Sequence, residues 1–172
     1  MRRVPFFFGA HPLTIDPKNR LLIPSQIRKR IDVEAEGNRL FVTLRNSVPW
    51  FYPSGFYTRL LNLQVGPDLS PSEELLDYEH YKLSLAEELE WDGQGRVVLP
   101  DDMLKSANIG KEVTLIGSKD HLELWNRAKW IERKEMLIAQ SPKIERWAQE
   151  NLRQPASANK KEATPQQDQK NQ

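Results

Sequence analysis

The sequence predicts a mixed α+β protein in which one hairpin motif occurs twice, followed by helices and a disordered C-terminal tail. Two segments, residues 13–30 and 89–106, align without gaps at their key positions. Each places an aspartate in an apolar strand, then a tight turn, an arginine and a second apolar strand. The last 20 residues are polar and rich in Pro, Lys and Gln, so they bury too little apolar surface to become ordered.

The internal repeat is the strongest signal in the chain. The matched positions are Asp16 with Asp92, Arg20 with Arg96, and Pro24 with Pro100. Chance supplies one D-x-x-x-R spacing easily, but two copies with the same flanking strand and proline indicate duplication. A second hairpin follows each copy, so we expect one repeat at 6–53 and another at 84–127.

Each repeat contains a turn and a short helix in the same order. Asn19 and Gly95 occupy equivalent places, and Asn and Gly are the residues that best accept a left-handed backbone. The prolines that follow suit the first position of a helix. Basic residues in the last turn of the first helix, and Asp101 and Asp102 in the first turn of the second, match the helix dipole.

The remaining segments are predicted from apolar spacing. Residues 54–83 form a helical connector, and residues 128–153 form C-terminal helices interrupted near Pro142. Residues 154–172 form the disordered tail. The aromatic run Phe6–Phe8 is too apolar to remain in water, so we expect it in the core or in a subunit interface.

Charge is unevenly distributed along the chain. The net charge of +1 combines +6 in residues 1–60, −8 in residues 61–110 and +3 in residues 111–172. A basic first third favours a polyanionic partner such as double-stranded DNA.

Several classes of site are disfavoured by the composition. There is no cysteine, which excludes disulfides and thiolate metal sites, and no apolar stretch reaches the ~20 residues of a membrane span. The histidines His11, His80 and His121 have no metal-ligand spacing, and no catalytic motif occurs. We therefore expect a cytoplasmic protein without enzymatic activity, metal, cofactor or small-molecule substrate.

The motifs DPKNR and DGQGR, each followed by an apolar strand and a proline, resemble the SpoVT/AbrB swapped-hairpin fold. Two copies in one chain, with Phe7-Phe8-Gly9 near the N-terminus, are similar to the MraZ regulators over roughly residues 6–140. The resemblance implies a duplicated AbrB-like β-barrel with peripheral helices. It also implies a ring-shaped homo-oligomer that associates with the nucleoid. The resemblance further implies that the ring binds short G-rich direct repeats upstream of a cell-division and cell-wall gene cluster.

By the same resemblance, DNA-contacting positions fall on Arg20, Arg28 and Lys29, and Lys18 and Asn19 share the turn with Arg20. An ion pair between Arg20 and the aspartate four residues earlier is the structural alternative for this arginine. Capping of the helix C-terminus is the structural alternative for the basic residues at 28–30.

A structural role in orienting the turns is predicted for Asp16 and Asp92. The same role is predicted for Arg96, because the surroundings of the second turn are acidic. A scaffold or an antitoxin-like protein-binding module is the alternative function for the whole chain.

Overall fold

The structure is a computed structural model that describes residues 4–64 and 70–152 of the 172-residue chain. The predicted tail at 154–172 lies outside the described residues. The described residues fall into two compact units, one that ends at Ile131 and one that begins at Glu132. Within the described ranges, no helix combines the length and apolar character that crossing a bilayer requires.

Both predicted repeats contain four strands and a short helix after the second strand. The first has β1 (Phe7–Thr14), β2 (Arg20–Leu22), α1 (Ser25–Arg28), α2 (Val33–Glu36), β3 (Arg39–Arg45) and β4 (Val48–Pro53). Connecting helices α3 (Ser54–Gln64) and α4 (Glu73–Ser84) follow. The second has β5 (Glu87–Glu90), β6 (Arg96–Val98), α5 (Asp101–Ser106), β7 (Glu112–Lys119) and β8 (His121–Asn126). The helices α6 (Arg127–Ala139) and α7 (Ser141–Asn151) come last.

Strand pairing interleaves the two repeats. In the six-stranded sheet, ordered β1-β7-β8-β4-β3-β5, the first strand of each repeat pairs with the third strand of the other. The second strands, β2 and β6, pair with each other in a separate two-stranded ribbon. Every pairing is antiparallel. The predicted α+β fold class with swapped hairpins is therefore confirmed.

One hydrophobic core joins the ribbon to the six-stranded sheet. It contains fully buried side chains from both repeats, among them Phe7, Leu21, Leu40, Phe51, Val97, Leu115 and Leu124. Alternation along the strands produces this pattern, since every second side chain of a strand points to the same face.

The short helices begin where the prolines predict, with a shift of one residue. Pro24 and Pro100 are the N-cap residues of α1 and α5, not their first helical residues. Both have extended ψ angles, 138° and 135°, so the chain turns into each helix only after the proline.

The run at 6–8 divides between core and surface. Phe7 is 1% exposed, whereas Phe6 and Phe8 are 58% and 55% exposed. Because β1 is an edge of the sheet and its side chains alternate, only one ring of the three faces the core.

Candidate nucleic-acid interface

The β2–β6 ribbon has one buried and one outward face. Arg20 pairs with Val98, Leu21 with Val97, and Leu22 with Arg96. The central pair is completely buried, whereas Leu22 and Val98 are 49% and 60% exposed. Since paired residues point to the same side of a sheet, both arginines lie on the outward face with these two apolar side chains.

The first tip, residues 16–20, is organised by one carboxylate. Asp16 Oδ1 accepts hydrogen bonds from the backbone amides of Lys18 (2.8 Å) and Arg20 (3.0 Å). Asp16 Oδ2 lies 2.6 Å from Arg20 Nε. Asn19 has a φ of 56°, the left-handed conformation predicted for it. Hydrogen bonding, first of all from the Arg20 amide, lowers the pKa of Asp16.

The second tip, residues 92–96, repeats this geometry. Asp92 Oδ1 accepts from the amides of Gln94 (2.9 Å) and Arg96 (3.0 Å), and Asp92 Oδ2 accepts from Arg96 Nε and Nη2 at 2.9 and 2.7 Å. Gly95 has a φ of 83°. These bonds, that of the Arg96 amide first, lower the pKa of Asp92 to about 2.

Both arginines therefore make the cross-turn ion pair and remain accessible. The side chains of Arg20 and Arg96 are 31% and 30% exposed. Because Asp16 holds Arg20 by Nε, the fork of the guanidinium is oriented without being removed from solvent. An ion pair and a contact with an external anion are compatible at such a tip.

The two tips lie at opposite ends of the ribbon, and a backbone hydrogen bond joins each tip to the end of the other repeat's strand. The Leu99 amide donates to the Asn19 carbonyl (2.8 Å), and the Ile23 amide donates to the Gly95 carbonyl (2.9 Å). Each tip thus contacts the strand end that leads into the other repeat's helix.

Because each tip contacts the other repeat, the charged helix ends lie beside the tip of the other repeat and not beside their own. Arg28, at the end of α1, packs its guanidinium on Gly95 of the second tip, and its Nε donates to the Ile23 carbonyl (3.1 Å). Asp101, at the start of α5, accepts from Asn19 Nδ2 of the first tip (2.5 Å). The basic helix therefore lies at the second tip and the acidic helix at the first, the reverse of the grouping by sequence proximity.

Three other basic residues of the first repeat have different surroundings. Lys18 and Lys29 are exposed, and Lys29 is the C-cap residue of α1. Arg30 lies 4.1 Å from the ring centroid of Phe8 and so faces the edge strand.

Two more arginines are paired with carboxylates. Arg39 contacts Glu88 and Glu90, and Arg59 contacts the buried Glu36. The charge of +6 in residues 1–60 thus overstates the positive charge gathered at the tips.

The positions of three residues on this surface are not predicted from the sequence. Leu22 and Val98 belong to apolar runs that indicate strands buried on both faces, yet both are exposed on the ribbon. Asp101 looks like a helix-dipole residue until pairing across the repeats places it beside Asn19. Among the residues the structure describes, no group of His, Asp and Glu is arranged to hold a metal ion.

The aromatic side chains of β4, β8 and α6 lie away from the ribbon. Phe51 is completely buried and Tyr52 nearly so, on β4 of the six-stranded sheet. Trp125 and Trp130 contact each other with ring centroids 5.9 Å apart. None of these four is part of the ribbon, which agrees with core or interface packing more than with base stacking.

Comparisons with known proteins give one family. The family described as "MraZ protein, putative antitoxin-like" matches residues 83–142. "Transcriptional regulator MraZ" of Neisseria meningitidis serogroup C is 36% identical over 134 residues, which cover 72% of this chain and 82% of the relative. The protein of the same name from Hydrogenovibrio crunogenus is 34% identical over 146 residues, 79% of this chain and 90% of the relative. The one from Clostridium acetobutylicum is 28% identical over 132 residues, 77% and 89% of the two chains.

Proposed function

This chain belongs to the MraZ family, and on that premise we propose that it is a sequence-specific, DNA-binding transcriptional regulator without catalytic activity. The outward face of the β2–β6 ribbon is the DNA-contacting surface. Lys18, Asn19, Arg20, Arg28 and Lys29 contact the duplex, and the aspartates of the two turns orient the arginines.

One observation carries the proposal: two arginines of separate repeats lie on one accessible face, each fixed by a carboxylate. A guanidinium held in a single orientation loses little conformational freedom when it binds, and its fork matches a phosphate or a guanine edge. A ribbon of two strands is also narrow enough to enter the major groove.

Assembly raises the affinity of this small surface. One ribbon makes few phosphate contacts, so a single protomer binds weakly. A closed ring that presents several ribbons to one duplex gains avidity of about 10²–10⁴ when the contacts engage together. Such a ring prefers short direct repeats, which we place in the promoter of a cell-division and cell-wall gene cluster. The site of action is then the nucleoid within the cytoplasm.

Exposed apolar side chains support self-association. Phe6 precedes the edge strand β1 and Phe8 lies on it, and none of the described side chains of α4 is buried. Leu76, Tyr78, Tyr81 and Leu83 on α4 are between 37% and 58% exposed. Apolar surface of this kind is more common in interfaces than on isolated monomers.

A protein-binding, antitoxin-like function is the alternative, favoured by the words of the family description. A protein-binding function of this kind gives no role to the oriented arginines on the ribbon. The two functions differ in the surface they use, because a protein partner would bind the exposed apolar helices.

Fluorescence anisotropy with labelled duplexes tests the proposal. We expect tandem repeats to bind at least ~10-fold more tightly than a single repeat, with affinity falling at least ~10-fold between about 50 and 200 mM salt. The double variant Arg20→Ala/Arg96→Ala loses this binding. Arg45→Ala removes one positive charge at the end of β3, where Arg45 lies over Trp50, and retains the binding. Equal losses in the double variant and the control would rule out the ribbon.

A further inference from the structure

We propose that the two tips of the ribbon perform different tasks on DNA. The second tip, with Arg96 and Arg28, anchors a phosphate of the backbone. The first tip, with Arg20, Asn19 and the adjacent Asp101, reads base edges. This inference rests on the proposed function and assigns to Arg96 a direct contact that its acidic sequence neighbours argue against.

The second tip concentrates positive charge from both repeats. Arg28 packs against Gly95, so a second guanidinium lies beside the residue that precedes Arg96. The nearby Asp92 is occupied by the amides and guanidinium of its own turn. Two guanidinium groups at one turn form a favourable site for a single phosphate, because hydrogen bonds between ionised partners are about twice as strong as neutral ones.

Gly95 is the residue that permits this arrangement. A Cβ at position 95 would lie 2.3 Å from Arg28 Nε and 2.4 Å from Arg28 Cζ, closer than any real contact. The equivalent residue in the first repeat is Asn19, whose side chain donates a hydrogen bond to Asp101. The difference between Gly and Asn at one matched position therefore gives the two tips different surroundings.

The first tip carries a negative charge that is unfavourable for phosphate binding. Asp101 Oδ1 lies 2.5 Å from Asn19 Nδ2, so a carboxylate stands next to the residue that precedes Arg20. A carboxylate repels phosphate, yet it accepts a hydrogen bond from the amino group of cytosine in the major groove. Arg pairs with the acceptors of guanine through its fork. The combination of Arg20 and Asp101 thus suits base edges and opposes indiscriminate phosphate contact.

The two tasks have different signatures in binding data. Loss of a phosphate contact weakens all sequences alike and reduces the salt slope by about 1, whereas loss of a base contact relaxes specificity. We therefore compare a duplex carrying direct repeats selected from a random pool with the same duplex after scrambling the repeats.

Conservative substitutions distinguish the roles of the two tips without removing a positive charge. Lys retains a positive charge but lacks the planar fork. We expect Arg96→Lys to keep both affinities within about threefold, and Arg20→Lys to lower the preference for the repeats at least about tenfold. Arg96→Ala lowers both affinities by a similar factor with a shallower salt dependence. Identical binding profiles for Arg96→Lys and Arg20→Lys would overturn the inference.

Asp101 and Asp102 form a matched pair for the acidic element. Both lie in the first turn of α5, but only Asp101 contacts the first tip, whereas Asp102 has a side chain that is 98% exposed. We expect Asp101→Asn to raise affinity for the scrambled duplex and to lower the preference at least about threefold, and Asp102→Asn to leave the preference unchanged. The same result for both variants contradicts the division of tasks. Failure of the wild-type protein to bind either duplex would overturn the proposed function itself.

Discussion

Asp16 Oδ2 lies 2.6 Å from Arg20 Nε, and the other oxygen of the same carboxylate accepts hydrogen bonds from two amides of the turn. Asp92 repeats the arrangement 76 residues later with Arg96. The D-x-x-x-R motif therefore fixes one partly exposed guanidinium on a tight turn. Its two copies meet on a single face because β2 and β6 pair with each other.

Removal of the Asp16 carboxylate tests whether orientation of Arg20 matters. Asp16→Ala leaves Arg20 on the tip but frees its guanidinium, so we expect affinity for repeat DNA to fall ~10-fold, about 1.4 kcal/mol. Anisotropy titration measures this loss, and circular dichroism monitors folding. Undiminished affinity would mean that the ion pair has no part in binding.

The close packing of Arg28 on Gly95 predicts a selective effect on stability. Gly95→Ala introduces a side chain at positive φ and against Arg28, so we expect ~1–3 kcal/mol of destabilisation. Gly93→Ala, in the same turn, meets nothing within 4 Å and is the control. Urea denaturation compares the two variants. A Gly95→Ala protein as stable as the control would show that Arg28 does not occupy this position.

The two faces of β2 differ in their importance for folding. Leu21 is completely buried, and Leu21→Ala is expected to reduce the free energy of unfolding by ~2–5 kcal/mol. Leu22 is 49% exposed, and Leu22→Ala is expected to change that free energy by less than ~0.5 kcal/mol. Chemical denaturation of both variants checks the register of the ribbon, since a slip by one residue would exchange the two results.

The lowered carboxyl pKa values predict that the tips persist in mild acid. A depressed pKa means that the ionised form stabilises the folded state above the unfolded pKa, 3.8 for Asp92, and that this stabilisation is lost as pH falls toward about 2. Carboxyl ¹³C shifts of Asp92 should therefore titrate well below pH 3.8. A midpoint at or above that value would indicate that the carboxylate is not held by Arg96 and the amides of its turn.

Much of the architecture follows from local sequence. Left-handed turn residues, the prolines after the second strands and the apolar runs predict the elements of both repeats within a few residues. Asn19 and Gly95 both adopt the positive φ predicted for them. These features depend on nearest neighbours in the chain, so a single sequence is enough to reveal them.

The charge distribution at the site could not be predicted in this way. Sequence proximity groups Arg28 with Arg20 and Asp101 with Arg96, whereas pairing between repeats groups Arg28 with Gly95 and Asp101 with Asn19. A count of charges also omits partners far along the chain, such as Glu88 for Arg39. Long-range pairing decides which charges become neighbours, and no local pattern encodes it.

A carboxylate placed on the ribbon tests the central claim most directly. Val98 pairs with Arg20 on the outward face of the ribbon and is 60% exposed. Val98→Glu should therefore leave the fold intact and reduce affinity for repeat DNA at least ~30-fold, because it repels phosphate and neutralises Arg20. Ile138→Glu, at a 63% exposed position on α6, is the control, with light scattering to verify equal assembly. Repeat DNA bound by Val98→Glu as tightly as by the wild type would contradict the assignment of this face.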